Sequence, residues 1–438
     1  MTTTFNAAAT KTVGVNATNF EFTFTRLERI AFGPGKITTL GAELERMGAT
    51  RALVATGKTL GASPLLERVT AAMGPHCAGV FAGVGQHVPA SSVRALVAEA
   101  ERVGADALVA FGGGSPIDAC KVAAASLLNR RDMTLAAGET DFDSASRAGG
   151  AGREIRLVAV PTTLSAGEFT PGGGVTDEAT RVKRRVSDAR LQHRTVIYDP
   201  ELCLNTPDWL WVATGMRALD HAIEGIYSTR AQPFTDTLGA EAIRLMMAHL
   251  PGSVGGGSDR LAERGWCQIA AWHSFFGGFS TRMGVSHALG HKIGPHWDVP
   301  HGVTSCITLP HVMRFMADVA PQRFRRIAEA LDVPFDDPRA AALASADKVA
   351  AFIAGFDVPH SLKAAGVERA EIHDIAEAVA DEVAHAKIVE RPVTVDEIKG
   401  LLDAAYESEA PALDGPRRPA AEGPATALVV DRIRSRGR

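Results

Sequence analysis

ALVAFGGGSPIDACKVAAASL, residues 107–127, decides the fold. A short apolar strand runs into a glycine loop, FGGGSPID, and the loop opens a helix. Three glycines let the backbone approach a ligand closely, and the free N–H groups of a helix start attract an anion, usually phosphate. The loop is neither GxGxxG nor a P-loop, since no GK[ST] follows, and an ordinary tight strand–helix turn gives the same pattern.

The same alternation extends on both sides. RALVATG (51–57) is a strand ending in glycine, and SSVRALVAEAERVG (91–104) is helical, with apolar positions at 93, 96, 97 and 100. RLVAVPTT (156–163) and TVIYDP (195–200) are further β-branched runs ending in turn residues. Strands alternating with helices imply a largely parallel sheet. VPTTLSAGEFTPGGG (160–174) places paired threonine hydroxyls after a strand, among small residues that leave room for a flat ring. Two polar, glycine-rich loops at strand ends fit the rule that open α/β sheets bind ligands at their carboxyl ends, and together they favour a dinucleotide.

After residue 201 the strands stop. Long helical stretches begin near Thr206-Pro207-Asp208 and break at PGSVGGGSD (251–259) and GPHWDVPHG (294–302). The expected organisation is a flexible lead over 1–21, a Rossmann-like α/β domain over 22–200, an all-α domain over 201–407 and an extension over 408–438. With 46 % apolar and 22 % charged residues the composition is that of a soluble globular protein. A net charge of -4 gives no reason to expect nucleic acid or an anionic membrane as partner, and RVKRR (181–185) reads as a solvated face. Five scattered cysteines without a CxxC pair argue against a disulfide framework or a cysteine zinc site and suit a reducing cytoplasm. The N-terminus lacks the apolar core of a signal peptide, and no later run approaches a membrane span.

The helical half carries the chemistry. In GMRALDHAIEG (215–225), Arg217 and His221 lie one turn apart on one helical face. GVSHALGHKIGPHWDVPHGV adds His287 and His291 at i,i+4, with His301 beyond a turn that could return it to that face. There is no HExxH. Imidazoles are metal ligands and also general acids near neutral pH, and clustering makes core histidines the weaker account. His273 and His311 read as packing or supporting residues.

GGGSPIDACK, PTTLSAGE, GMRALDHAIEG and HALGHKIGPHWDVPHGV followed by LPHVMRF, in this order over about 26–405, resemble the iron-containing (group III) alcohol dehydrogenase superfamily. The resemblance implies a dehydroquinate synthase-like architecture, with an N-terminal dinucleotide-binding domain, a helical C-terminal domain and an active site in the cleft between them. It implies hydride transfer between NAD(P) and a carbonyl or alcohol carbon, and a homodimer. By position, Gly113, Gly114 and Ser115 would hold the pyrophosphate, with Asp118 in the same stretch. Thr162, Thr163 and Leu164 would line the adenosine and the path to the nicotinamide. Gly57, flanked by Lys58, stands where NAD-specific relatives often carry an acid, so both NADH and NADPH are permitted.

In metal-dependent relatives an aspartate and three histidines hold Fe²⁺ or Zn²⁺. The histidines match His221, His287 and His301, and His291 matches a further active-site histidine, but the aspartate's position is Arg217. Two positive charges about 4 Å apart repel by about 4 kcal/mol at an effective dielectric near 20. Asp220 could substitute, yet it sits better for an i,i+3 pair with Arg217. The chain is similar in this respect to the maleylacetate reductase branch, which lacks the aspartate, works without metal and reduces a dianionic product of aromatic-ring degradation. Arg217 would grip a substrate carboxylate bidentately or stabilise a developing alkoxide, and a histidine would supply the proton. A conventional Fe/Zn-dependent alcohol or aldehyde dehydrogenase, a dehydroquinate synthase-type lyase and a pseudoenzyme remain as alternatives.

Overall fold

The computed structural model describes residues 20–134, 152–180, 182–278 and 280–408. The N-terminal lead and the C-terminal extension therefore lie outside the described residues, except for residues 20, 21 and 408. The chain divides into two compact units, one of residues 24–206 and the other of residues from 207 onward joined by those before 24. Thr206 stays with the first unit, where its hydroxyl donates to the Thr162 carbonyl at 2.7 Å.

The first unit is built on strands β1 (Arg29–Phe32), β2 (Ala52–Ala55), β3 (Cys77–Phe81), β4 (Ala107–Gly112), β5 (Arg156–Pro161), β6 (Gly172–Thr176), β7 (Lys183–Ser187) and β8 (Thr195–Tyr198). Six of them form one sheet in the order β1-β8-β5-β4-β2-β3, with every pair parallel. Its helices are α1 (Leu40–Arg46), α2 (Lys58–Gly61), α3 (Pro64–Met73), α4 (Ala90–Arg102), α5 (Gly114–Asn129) and α6 (Pro200–Cys203). Because strand side chains alternate, Val54, Val109, Val158 and Ile197 join one buried core with α1 and α3, while Leu53, Leu108 and Leu157 join another with α4 and α5. Burial on both faces is what a parallel sheet requires. The expected period of α4 is seen in its buried Val93, Leu96 and Ala100. β6 and β7 form a separate antiparallel hairpin.

The second unit holds α7 (Asp208–Tyr227), α8 (Pro233–His249), α9 (Arg260–Phe275), α10 (Val285–Trp297), α11 (His301–Val319), α12 (Arg325–Ala330), α13 (Pro338–Ala354), α14 (Ala376–His385) and α15 (Val395–Glu407). Among the described residues no named strand follows β8. Helix α7 is buried nearly all round, between α8, α9 and α11. Residues 22 and 23 belong to this unit, with the Phe22 ring edge-on to Phe234 and the Thr23 amide donating to Ser280 Oγ. No helix among the described residues is long and apolar enough to cross a membrane. The fold is thus a parallel α/β unit followed by an all-α unit, as the sequence pattern predicts.

Candidate active site

In the first unit, β4 ends at Gly112 and α5 starts at Gly114, so the first amide groups of α5 open beyond the carboxyl ends of the strands. Gly113 lies against the loop after β5, where a Cβ would come within 3.1 Å of Thr163 Cγ2. A side chain there would require Thr163 to give way by a few tenths of an ångström. The hydroxyls of Thr56, Thr163 and Ser165 are buried without a hydrogen-bond partner among the described residues. Orphan hydroxyls beside exposed helix amides at the carboxyl end of a parallel sheet are the donor and acceptor set a dinucleotide needs. Gly57 caps α2, next to Thr56.

The remaining residues expected at the cofactor also make contacts within the unit. The Thr162 amide donates to the Gly112 carbonyl at 2.9 Å, tying the two loops together. Leu164 is fully buried. Asp118 Oδ2 accepts from the Gly174 amide at 3.1 Å, which pins the β6–β7 hairpin to α5. Lys121, one turn further on, is buried and donates to the carbonyls of Gly167 and Gly172 at 2.6 and 3.0 Å. Burial pushes its ammonium down to about 8.

In the second unit, α7 carries Arg217, Asp220 and His221, α10 carries His287 and His291, and His301 is the first residue of α11. Asp298 ends α10 in the left-handed conformation and the chain reverses through Pro300, so the His301 ring returns to 5.6 Å from His287 and 5.7 Å from His291. Gly290 makes room for this, since a Cβ there would lie 2.8 Å from Thr304 Oγ1 and 3.2 Å from the His301 ring. Nitrogens of His287, His291 and His301 all lie within 4.8 Å of one another, a spacing that could hold a cation. His221 falls outside that trio. Its ring stacks on Phe275 at 4.1 Å, and its Nδ1 has no hydrogen-bond partner among the described residues.

Arg217 and Asp220 pair as the i,i+3 spacing predicts, Nη1 to Oδ2 at 3.0 Å, with both side chains almost fully buried. The same Oδ2 accepts from Ser305 Oγ at 2.6 Å and Ser286 Oγ at 3.0 Å, whereas Oδ1 is buried with no hydrogen-bond partner among the described residues. Arg217 Nη1 also donates to Ser305 Oγ, and Nη2 bears on His287, closest to Nδ1 and 3.1 Å from Nε2. Burial and the adjacent guanidinium hold His221 and His287 well below the ordinary imidazole range. Burial also pushes Arg217 down and Asp220 up.

Two residues of this region escape a motif search. Glu224, one turn beyond Asp220, accepts from the amides of Gly284 and Ser286 and from the Tyr227 hydroxyl. Burial, reinforced by the Asp220 charge, pushes it up to about 8. Its sequence signal is the i,i+4 step on the buried face of GMRALDHAIEG. Glu382 on α14 bonds His291 Nδ1 at 2.9 Å from 91 residues away, and no local pattern announces it. His273 and His311 stay outside the cluster, with burial pushing His311 down to about 4.

The description "Iron-containing alcohol dehydrogenase" fits residues 28–200, and "Fe-containing alcohol dehydrogenase family, C-terminal" fits 211–406. A maleylacetate reductase of Burkholderia cepacia is 33 % identical over 397 residues, covering 91 % of this chain and 100 % of the relative. The chain belongs to the iron-containing alcohol dehydrogenase family. It is an NAD(P)-dependent oxidoreductase. A lactaldehyde reductase of Escherichia coli (strain K12) is 31 % identical, covering 86 % of this chain and 97 % of the relative. Among solved structures, an alcohol dehydrogenase from Oenococcus oeni superposes with a TM-score of 0.80 at 26 % identity, covering 89 % of this chain and 100 % of that one.

Proposed function

We propose that this member of the family reduces a carbonyl or conjugated oxo acid with NADH or NADPH, in the manner of a maleylacetate reductase and without a bound metal. The observation that carries the metal-free reading is Arg217. A divalent ion on His287, His291 and His301 would meet three neutral nitrogens, no carboxylate, and a guanidinium touching both ring nitrogens of His287. Asp220 stands outside the histidine trio, its Oδ2 serving Arg217, Ser286 and Ser305 while its buried Oδ1 has no hydrogen-bond partner among the described residues. This donor set does not fit the family metal.

The cofactor supplies the hydride when bound, and the glycine loop with Thr56, Thr163 and Ser165 is the part of the chain that would hold it. Of the two roles open to Arg217, a bidentate grip on a carboxylate is not available, because Nη1 serves Asp220 and Ser305 and Nη2 faces His287. Its role is electrostatic, as a fixed positive charge beside the imidazole that meets the developing oxyanion. Facing a permanent donor, His287 stays a neutral ring. The proton itself comes from His291 or His301, since His221 and His287 resist protonation.

One observation favours a second reading, a metal-dependent dehydrogenase: the close spacing of the histidine trio. Oxidation of NADH and NADPH followed at 340 nm with maleylacetate, simple aldehydes and 2-oxo acids, on protein whose metal content has been counted, separates the two. The expected result is turnover of an oxo acid by metal-free protein, insensitive to chelator and sharply reduced in Arg217→Ala. Loss of activity on chelation, or unchanged kinetics in that variant, would overturn it.

A further inference from the structure

Lys121 on α5 is fully buried, and its Nζ sits among three oxygens. These are the Gly167 carbonyl at 2.6 Å, the Gly172 carbonyl at 3.0 Å and Thr170 Oγ1 at 3.4 Å. Gly167 opens the short turn that closes the loop after β5, and Gly172 opens β6, so one side chain fastens both to α5. The near end of the same loop lies on the start of that helix. A Cβ on Gly113 would stand 3.1 Å from Thr163 Cγ2, and one on Gly114 would stand 3.5 Å from Ser165 Oγ. Thr163 and Ser165 carry two of the orphan hydroxyls of the cofactor site. Between the two ends, Ala166 takes a left-handed φ of 57°, which L side chains rarely adopt. The loop is thus strained at Ala166 and fastened at the next residue.

We infer that Lys121 is a positioning residue of the dinucleotide site, fastening the loop that holds Thr163 and Ser165 against the start of α5, so that its charge state governs cofactor affinity. The role rests on the placement of NADH or NADPH on this loop. An ammonium has three N–H donors, and three acceptors meet it here, one for each. A neutral amine has two donors and a lone pair, which would face an oxygen. Loss of the proton therefore releases one contact at the fastened end and lets the loop relax away from α5. The other charged and titratable groups around Nζ are Asp118, with Oδ1 at 3.9 Å, and Cys120 on α5, Glu168 in the turn, Arg185 on β7 and His193 before β8. Asp118 and Glu168 favour the charged lysine and Arg185 opposes it, but burial outweighs them and brings the ammonium down to about 8. Burial also keeps the Cys120 thiol protonated and His193 neutral, and it pushes the Glu168 carboxyl up.

The test measures NADH binding by fluorescence, without turnover, from pH 6.5 to 9.5 in the parent and in Lys121→Met. The parent Kd should hold below pH 7 and rise about 10-fold by pH 9.5, since one proton changes it by at most about tenfold per pH unit. Lys121→Met should bind about 10-fold more weakly at pH 6.5 and show no further change with pH. Over the same range the cofactor-free parent gains stability as Lys121 gives up its proton, so looser binding there is not unfolding. Carbon-13 NMR of protein labelled at lysine Cε needs no variant: one lysine should titrate near pH 8, apart from the rest, and its midpoint should move up on adding NADH. A flat parent profile, or a lysine midpoint that NADH leaves in place, would overturn the inference. A pH slope kept in Lys121→Met would move the effect to Glu168 and overturn it equally. The double variant Thr163→Val/Ser165→Ala tests the placement beneath it. NADH binding equal to the parent's would sink that placement and the inference with it. Weakened binding there, beside a flat parent profile, would overturn the inference alone.

Discussion

Replacing Arg217 with leucine tests the buried network through folding rather than catalysis. The substitution removes a guanidinium whose side chain is 4 % exposed and leaves Asp220, 0 % exposed, without its cation. Stripping one partner from a buried ion pair costs about 3–5 kcal/mol. Asp220 Oδ2 would keep the Ser305 and Ser286 hydroxyls, which places the loss at the lower end, about 3 kcal/mol. The loss should depend on pH. Burial already raises the Asp220 carboxyl above its unfolded value, and without the neighbouring charge it rises further. A carboxyl whose folded pKa exceeds the unfolded one is penalised increasingly as pH climbs from the unfolded pKa through the folded one, by at most about 1.4 kcal/mol per pH unit. The deficit of Arg217→Leu should therefore be smaller at pH 5 than at pH 8. Urea unfolding followed by tryptophan fluorescence is well placed to see it, because Trp211 is fully buried on the same helix. The double variant Arg217→Leu/Asp220→Asn should recover most of the loss. A deficit below about 1 kcal/mol, or one that is flat between pH 5 and 8, would refute the reasoning.

Ser305→Ala removes the 2.6 Å bond to Asp220 and should cost about 1–3 kcal/mol in the same unfolding assay, with wild-type stability telling against the enclosed carboxylate. Gly113→Ala places a methyl against Thr163 and should raise the cofactor Kd about 10-fold, measured by quenching of protein fluorescence, with the unfolding midpoint little changed. The Lys121 ammonium is pushed down to about 8 by burial, so between there and its unfolded pKa the unfolded chain binds the extra proton and stability rises with pH. Lys121→Met should lack that rise, so parent minus variant stability grows from pH 8 to 10 by up to about 1.4 kcal/mol per unit. Equal slopes in the two proteins would contradict the buried-lysine account.

The four central strands β2, β4, β5 and β8 were legible because they are buried on both faces and read as short continuous apolar runs closed by Gly, Pro or Asp, whereas the less buried edge strands β1 and β3 gave no such run. The helical half was legible for the opposite reason, since apolar positions there recur at the helical period and the β-rich alternation does not return. Arg217 with Asp220 was readable from one helix, because i,i+3 geometry is local and leaves little choice. The return of His301 needed the left-handed Asp298 and the side-chain-free Gly290, a tertiary outcome that spacing permits without dictating. Glu382 was invisible because its meaning comes from α14 docking on α10, and nothing in ADEVAH marks which of its acids faces a histidine. Asp118 and Leu164, assigned from family position, also have contacts that no motif announces: Asp118 holds the β6–β7 hairpin and Leu164 is buried.

The enclosure of Asp220 has a consequence for how this site can change by single substitutions. An aspartate at 217 alone would put three carboxylates, at 217, 220 and 224, on little more than two turns of one buried helix with no compensating cation among them. Such an intermediate would be poorly folded before it could recruit any ion. The path toward a metal-holding version therefore runs first through neutralising Asp220, a step that strands the arginine and is itself costly. Arginine and aspartate thus entrench each other, and the present charge arrangement sits in a local optimum that no one-residue step leaves cheaply.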